Sequence, residues 1–375
     1  TGVAVSDFRE QLSSTIVELP GVALRRMVKV VRALDRLSRN PAYREQVYAE
    51  VPDVARFDPG HDAVMMCYDF HLDAEMPRLI EVNTNAGGGM LAYLAHDPAL
   101  PADQRSLSAK LRKRLLQTFS DEIKKYSADA QLKPARIAII DEDPAGQHLY
   151  PEMVAFADLF RAWGVPAEIV EPQRLQASAD GVSLDGQPVD LVYNRHCDFY
   201  LASDEVAGLR QAYLAGTVCL TPNPHRYGLL ADKRRMILWS ASACRAAWQL
   251  SGADDRLLDQ FVPDTWLLAG LEAQQVWSDR KQLIFKPVDR FGGKGVLLGE
   301  KISRKRFDQL PAAMTLVQEM IPPSMTESVD QGPMKTDLRL YAYRNRVLGV
   351  TARLYRGPVT NMRTPGGGFA RVRII

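Results

Sequence analysis

Only four cysteines occur in 375 residues, Cys67, Cys197, Cys219 and Cys244, with no CxxC pair and no histidine at ligand spacing. That scarcity excludes a disulfide scaffold or a structural zinc site and predicts reduced, buried thiols in a cytoplasmic protein. Charge of one sign is lacking as well: 47 Lys and Arg stand against 45 Asp and Glu, a net of +2, with no long basic run. Nucleic acid is therefore not an expected partner. No apolar stretch is long enough to span a bilayer and the N-terminus has no basic-then-apolar secretory pattern, so no membrane partner is expected either. Neither GxxxxGK[ST] nor GxGxxG is present, which removes two common phosphate-binding fingerprints. What remains, 46% hydrophobic and 25% charged residues, is the make-up of a globular chain with room for two or three cores.

Residues 8–50 carry apolar positions at spacings of three and four, broken near Pro20 and Gly21, and predict a supporting helical layer. AVMMCYDFHLD (63–73) and RLIEVN (78–83) predict two strands joined by AEMP, and residues 105–126 return to helical spacing. From 133 the texture is βαβ: the strand KPARIAIIDED, the helix PEMVAFADLFRAWG stopped by Gly164, and the strand VPAEIVEP. VDLVYNRHCDFYL (189–201) predicts a strand that opens into a polar loop, followed by a helix and TVCLTPNPH (217–225). Open parallel sheets bind ligands beyond the carboxyl ends of their strands, which makes Asn194, Arg195 and Asp198 substrate-pocket candidates. A surface loop with a capping aspartate fits the same residues. A helix over 226–250 then precedes a small, mainly antiparallel sheet built from TWLLAG, QLIFKPVD, VLLGE and TLVQEMIPP. The tail predicts a hairpin, DLRLYAYRNRVLGVTARLYR, turning at Arg344–Arg346.

In LIFKPVDRFGGKGV (283–296), Lys286 ends an apolar strand and is followed by Gly292, Gly293, Lys294 and Gly295. Glycines let backbone N–H groups approach phosphate oxygens, and a lysine on a rigid strand supplies a fixed positive charge, so a polyphosphate fits better than a plain hairpin. Lys233, early in the next helix upstream, is either a second phosphate-facing lysine or a solvated helix residue. In LVQEMIPP the strand backbone and Glu319 could recognise a purine edge. Glu81 and Asn83 in RLIEVN are two positions apart, hence on one face of a strand. Two oxygen ligands side by side suit Mg²⁺, which fills its remaining positions with water and substrate phosphates. Asp69 on the neighbouring strand could add a carboxylate, while a solvated strand end and a turn-forming asparagine are the competing readings. Arg339 and Arg353, on facing strands of the tail hairpin, can hold a phosphoryl or carboxylate group bidentately. Asn361 with Gly366, Gly367 and Gly368 can close over an acyl group with backbone donors.

In this order the segments resemble the ATP-grasp enzymes, and among them the circularly permuted branch that includes eukaryotic glutathione synthetase, because the Glu-x-Asn strand RLIEVN stands near the start rather than last. The resemblance covers most of residues 63–375, does not reach the first fifty, and implies an α/β (α+β) ATP-grasp fold in permuted order with a Rossmann-like βαβ substrate domain. With the helical N-terminal layer read from its spacing (1–62), the expected division is a permuted part of the ATP-grasp core carrying the metal strand (63–130), a Rossmann-like substrate domain (131–225) and the nucleotide-binding lobes (226–375). The early and tail hairpins would then be neighbours in one sheet. Position by position it implies Lys233 and Lys286 as phosphate lysines, Gly292, Gly293 and Gly295 as a flap, and Gln318, Glu319 and Met320 as the adenine hinge. Glu81, Asn83 and Asp69 would bind Mg²⁺, and Arg353, Lys286 and Asn361 would carry catalysis. Arg195, Asp198, Arg339, Gly366, Gly367 and Gly368 would face the substrates. Two departures stand out: Asp289 occupies the place of a glutamate that follows the glutathione enzyme's Lys-Pro, and the segments around the substrate pocket match poorly. The thiol-peptide substrate is accordingly not carried over. The expected activity is an ATP-dependent carboxylate–amine ligase working through an acyl phosphate, using ATP and Mg²⁺ with amino-acid or peptide-like substrates, and compatible with a homodimer. A non-catalytic ATP-binding module and a small-molecule kinase on the same fold are the rival expectations.

Overall fold

The computed structural model describes residues 11–94, 109–127, 133–328, 331–361 and 364–375. Its largest sheet has seven strands and draws on both ends of the chain. Leu12–Leu19 pairs parallel with Gly368–Ile374, which is followed across the sheet by Arg346–Tyr355, Gly332–Tyr343, Met66–Asp73 and Met76–Asn83, with Ser324–Ser328 alongside Gly332–Tyr343. The early and tail hairpins are thus hydrogen-bonded to one another, with Arg339 opposite Asp69 and Leu338 opposite Phe70.

Alternation explains which residues this sheet buries and which it presents. Tyr68, Phe70, Leu338, Leu340, Ala352 and Leu354 pack in one core with Met27, Val30 and Leu34 of the helix Gly21–Leu37. Residues one position away in each strand point the other way. Glu81, Asp69 and Arg339 form one cross-strand row, and Asp337 with Arg353 forms part of the next. These five charged side chains therefore share the face that a helical cover leaves open.

The N-terminal layer contains the helices Gly21–Leu37, Pro41–Tyr48 and Asp53–Arg56. Residues 12–19, however, are a strand rather than the predicted helix, with Thr15, Val17 and Leu19 buried at period two. Leu12, Ile16 and Leu19 satisfy a helical spacing too, but three consecutive β-branched residues and a partner strand from the far end of the chain decide for the sheet. Residues 8–10 and 105–108 of the predicted helical stretches lie outside the described residues. The predicted helix over 226–250 is also interrupted: a π-turn, Tyr227–Ala231, and a bend at Asp232 precede Arg235–Ser240 and Ser242–Ala247.

A second sheet is wholly parallel, in the order Cys219–Thr221, Leu191–Asn194, Ile137–Ile140, Ala167–Val170, with the helix Tyr150–Ala162 crossing between the last two. Its strands are mostly apolar and buried, as a sheet covered on both faces requires. A third sheet is antiparallel, in the order Thr265–Leu267, Thr315–Glu319, Leu283–Pro287, Leu297–Leu298, and packs Phe285 and Val317 against Phe307. Three short strands between 176 and 188 form a separate ribbon. No helix among the described residues is long and apolar enough to cross a membrane.

Candidate functional site

Where the three larger sheets approach one another they leave a cavity of about 630 Å³. The large sheet contributes Asp69, Glu81, Asn83, Arg339 and Arg353 to its wall; the antiparallel sheet contributes Lys286 and Met320; the parallel sheet contributes Arg195. Lys233, Gly292, Gly293 and Asn361 complete the set of predicted residues found there.

Asp69 is the electrostatic centre. It is 2% exposed, and its carboxylate accepts from Arg339 Nε and Nη2, both at 2.6 Å, from Arg353 Nη2 at 2.9 Å and from Asn83 Nδ2 at 3.2 Å. Burial alone would push its carboxyl up, but the two guanidiniums outweigh burial and hold it at about 2. Arg353 is gripped from its other side by Asp337, whose Oδ1 lies 2.6 Å from Nε and whose Oδ2 accepts from Thr360 Oγ1 at 2.7 Å. Asp337 was not among the candidates from sequence, although its place two residues before Arg339 on one strand puts it on the same face.

Glu81 has a different environment. Its Oε1 accepts from Asn83 Nδ2 at 3.1 Å, and no ion pair among the described residues involves it. No group of three His, Cys, Asp or Glu side chains among the described residues is placed to hold a metal. A carboxylate and an amide on one face are nevertheless the donor set that Mg²⁺ accepts when phosphates supply the rest. Asp69, with both oxygens engaged by arginines, fits the role of arginine anchor better than that of ligand. Asp289 is exposed and outside the cavity wall.

Across the cavity, Lys286 is 6% exposed and donates to Gln318 Oε1 at 2.6 Å and to the carbonyl of Ile80 at 3.2 Å. Burial, reinforced by nearby Lys233 and opposed by Glu81, lowers its pKa to about 8. The π-turn and bend before it place Lys233 against the glycine turn, where Nζ donates to the carbonyl of Arg290 at 2.6 Å. Gly292, Gly293 and Gly295 all have φ between +63° and +77°, a conformation that side-chain-bearing residues rarely take, and Gly293 approaches Val359. Phe291 at the same turn meets Phe199 edge to face at 5.9 Å, so the turn reaches the parallel-sheet side of the cavity.

Other predicted residues are employed elsewhere. Asp198 accepts from the backbone N–H groups of Ala202 and Ser203, the capping role. Glu319 pairs with Arg78 at 2.6 Å, and Gln318 is the buried partner of Lys286 and Thr265. Gly366, Gly367 and Gly368 lead into the last strand; a Cβ at Gly367 would lie 2.4 Å from the carbonyl of Leu354, so close packing already accounts for it. The glycines after Asn83 are similarly packed, and Gly87 abuts Arg195. Arg195 is itself secured by Glu152, fully buried, at 3.2 Å, and Glu152 also accepts from the backbone N–H groups of Gly88 and Met90 at 2.8 Å each. Nothing in the local sequence of that apolar helix distinguishes Glu152 as a buried anchor.

No family model matches the chain, and no curated protein matches it. Among solved structures it is similar to a protein from Methylobacillus flagellatus KT provisionally assigned as a gamma-glutamylcysteine synthetase, at 13% identity and a TM-score of 0.53, over 96% of this chain and 88% of that one. The ATP-grasp ligase PsnB complexed with minimal precursor, Mg and ADP aligns at 16% identity over 63% of this chain and 87% of that one, with a TM-score of 0.31. PsnB with precursor peptide PsnA2 and AMPPNP gives 13% identity and a TM-score of 0.32, over 64% of this chain and 88% of that one. Both PsnB superpositions are too weak to bear on the present fold. The chain therefore has a mixed α/β fold shared with the Methylobacillus protein, with the early hairpin completing a sheet begun by the tail.

Proposed function

We propose that the protein is an ATP-dependent carboxylate–amine ligase. The observation that carries this reading is the reach of Lys286 to the carbonyl of Ile80, which sets a buried lysine of the antiparallel sheet beside Glu81 of the large sheet in one cavity. In the proposed reaction an oxygen of the substrate carboxylate attacks the γ-phosphorus of ATP and the bond to ADP breaks. The nitrogen of an amine then attacks the acyl phosphate, phosphate leaves with the C–O electron pair, and the amine gives up a proton. Lys286 and Lys233 counter the charge of the phosphates, and the Gly292–Gly295 turn offers backbone N–H groups to them. Arg353, fixed by Asp69 and Asp337, is aimed at the charge that grows on the transferred group. Glu81 and Asn83 would hold Mg²⁺, whose contribution is to draw charge from the phosphate oxygens. The cytoplasm is the proposed compartment.

The test is release of ADP and phosphate from Mg·ATP in a screen of paired amino acids and short peptides, with mass spectrometry of the product. Turnover that needs both an acid and an amine, with an amide formed, supports the reading. A phosphorylated small molecule without an amide would make the protein a kinase, and ATP binding with no turnover would make it a binding module.

A further inference from the structure

Asp141 follows the parallel strand Ile137–Ile140 at its carboxyl end and lies on the cavity wall. It is 7% exposed. Its Oδ1 accepts from the next backbone N–H, that of Glu142, at 2.9 Å, and no ion pair among the described residues involves it. The guanidinium whose charge acts most on it, Arg195, is already matched by Glu152 at 3.2 Å. Elsewhere around the cavity the buried carboxylates are compensated: Asp69 has two guanidiniums, Asp337 has Arg353, and Glu152 has Arg195. A buried carboxylate without a countercharge is costly unless a partner arrives. Burial lifts its carboxyl to about 6, outweighing the opposing charge of Arg195.

We infer that Asp141 is the docking point for a cationic nitrogen of the substrate, so that the parallel-sheet end of the cavity selects substrates bearing an ammonium group. The inference rests on the ligase reading only for what happens after binding. It adds a residue that the resemblance did not supply, and it assigns to this end of the cavity the ammonium group of an amino-acid or peptide-like substrate.

Binding is measured without turnover. The full chain is titrated calorimetrically with each of the twenty standard amino acids and, for each, the 2-hydroxy acid in which oxygen replaces the ammonium nitrogen. At least one amino acid is expected to bind, with its hydroxy counterpart weaker by tenfold or more. Asp141→Asn should erase that preference while AMPPNP binding, which reports an intact fold and nucleotide site, is unchanged. Equal binding of the two series, retention of the preference in Asp141→Asn, or no binding by any amino acid overturns the inference. Because the preference is read first on the unaltered protein, a variant that fails to fold leaves the test standing. Loss of ADP release with amino-acid binding preserved would instead reject the ligase reading and spare Asp141.

Discussion

Raising the pH is expected to strengthen the nucleotide-free protein through one residue, Lys286. Burial is the main cause of its displaced pKa, about 8 against an ordinary 10.5. Between those values the unfolded chain binds a proton at this lysine that the folded chain has released. Stability rises with pH wherever the unfolded state holds more protons, so the sign is a gain from pH 8 to pH 10.5. The interval of 10.5 − 8 = 2.5 units is worth about 3 kcal/mol. Other groups titrate in the same range, so the informative quantity is the difference between the native protein and Lys286→Met, from urea midpoints at neutral and at alkaline pH. That difference should move in favour of the native protein by about 3 kcal/mol as pH rises. A difference that stays constant across the range refutes the claim that a buried ammonium is being held against its preference. Triphosphate should reverse the effect, since phosphate charge repays the burial of the cation. One unit above the folded pKa only about one molecule in ten keeps the charge, so ATP affinity should be about tenfold weaker there than at neutral pH, with a proton taken up on binding.

Asp69→Asn should cost about 3–5 kcal/mol, because it leaves Arg339 and Arg353 buried with Asp337 as their remaining carboxylate; an unchanged urea midpoint would contradict the network. Asp69 also sets an acid limit: its carboxyl is held at about 2 instead of 3.8, so its share of stability is complete above 3.8 and is lost as pH falls through 2, a loss of about 2 kcal/mol absent from Asp69→Asn. Glu81→Gln should raise the Mg²⁺ concentration for half-maximal ADP release by on the order of tenfold while leaving the urea midpoint in place, since Glu81 supports no ion pair among the described residues. An unaltered Mg²⁺ requirement would remove Glu81 from the candidate metal site.

Local chemistry made several of these features readable in advance. Period-two alternation in MCYDFHLD and RLIEVN announces a hairpin with Asp69, Glu81 and Asn83 on a common face, and the run FGGKG announces a turn that needs positive φ. The βαβ texture after residue 133 likewise locates Arg195 at a strand end. The strand Leu12–Leu19 was not readable, because its apolar spacing fits a helix and its partner is the other end of the chain. Lys233 needed the π-turn to reach the glycine turn. Whether Asp198 caps a loop or meets a ligand, and whether Asp69 anchors arginines or a metal, depended on which side chains came within about 3 Å.

Sequence by itself determined what neighbours along the chain can impose: the period of each strand, the glycine turn, and the scarcity of cysteine and of net charge. Tertiary structure alone decided which charges are paired. Asp69 with Arg339 spans 270 residues and Arg195 with Glu152 spans 43, while Asp141 is left without an ion pair among the described residues. The reason is physical. Backbone preference acts over a few residues, whereas the energy of a buried charge is set by whatever the fold brings against it, from any distance along the chain.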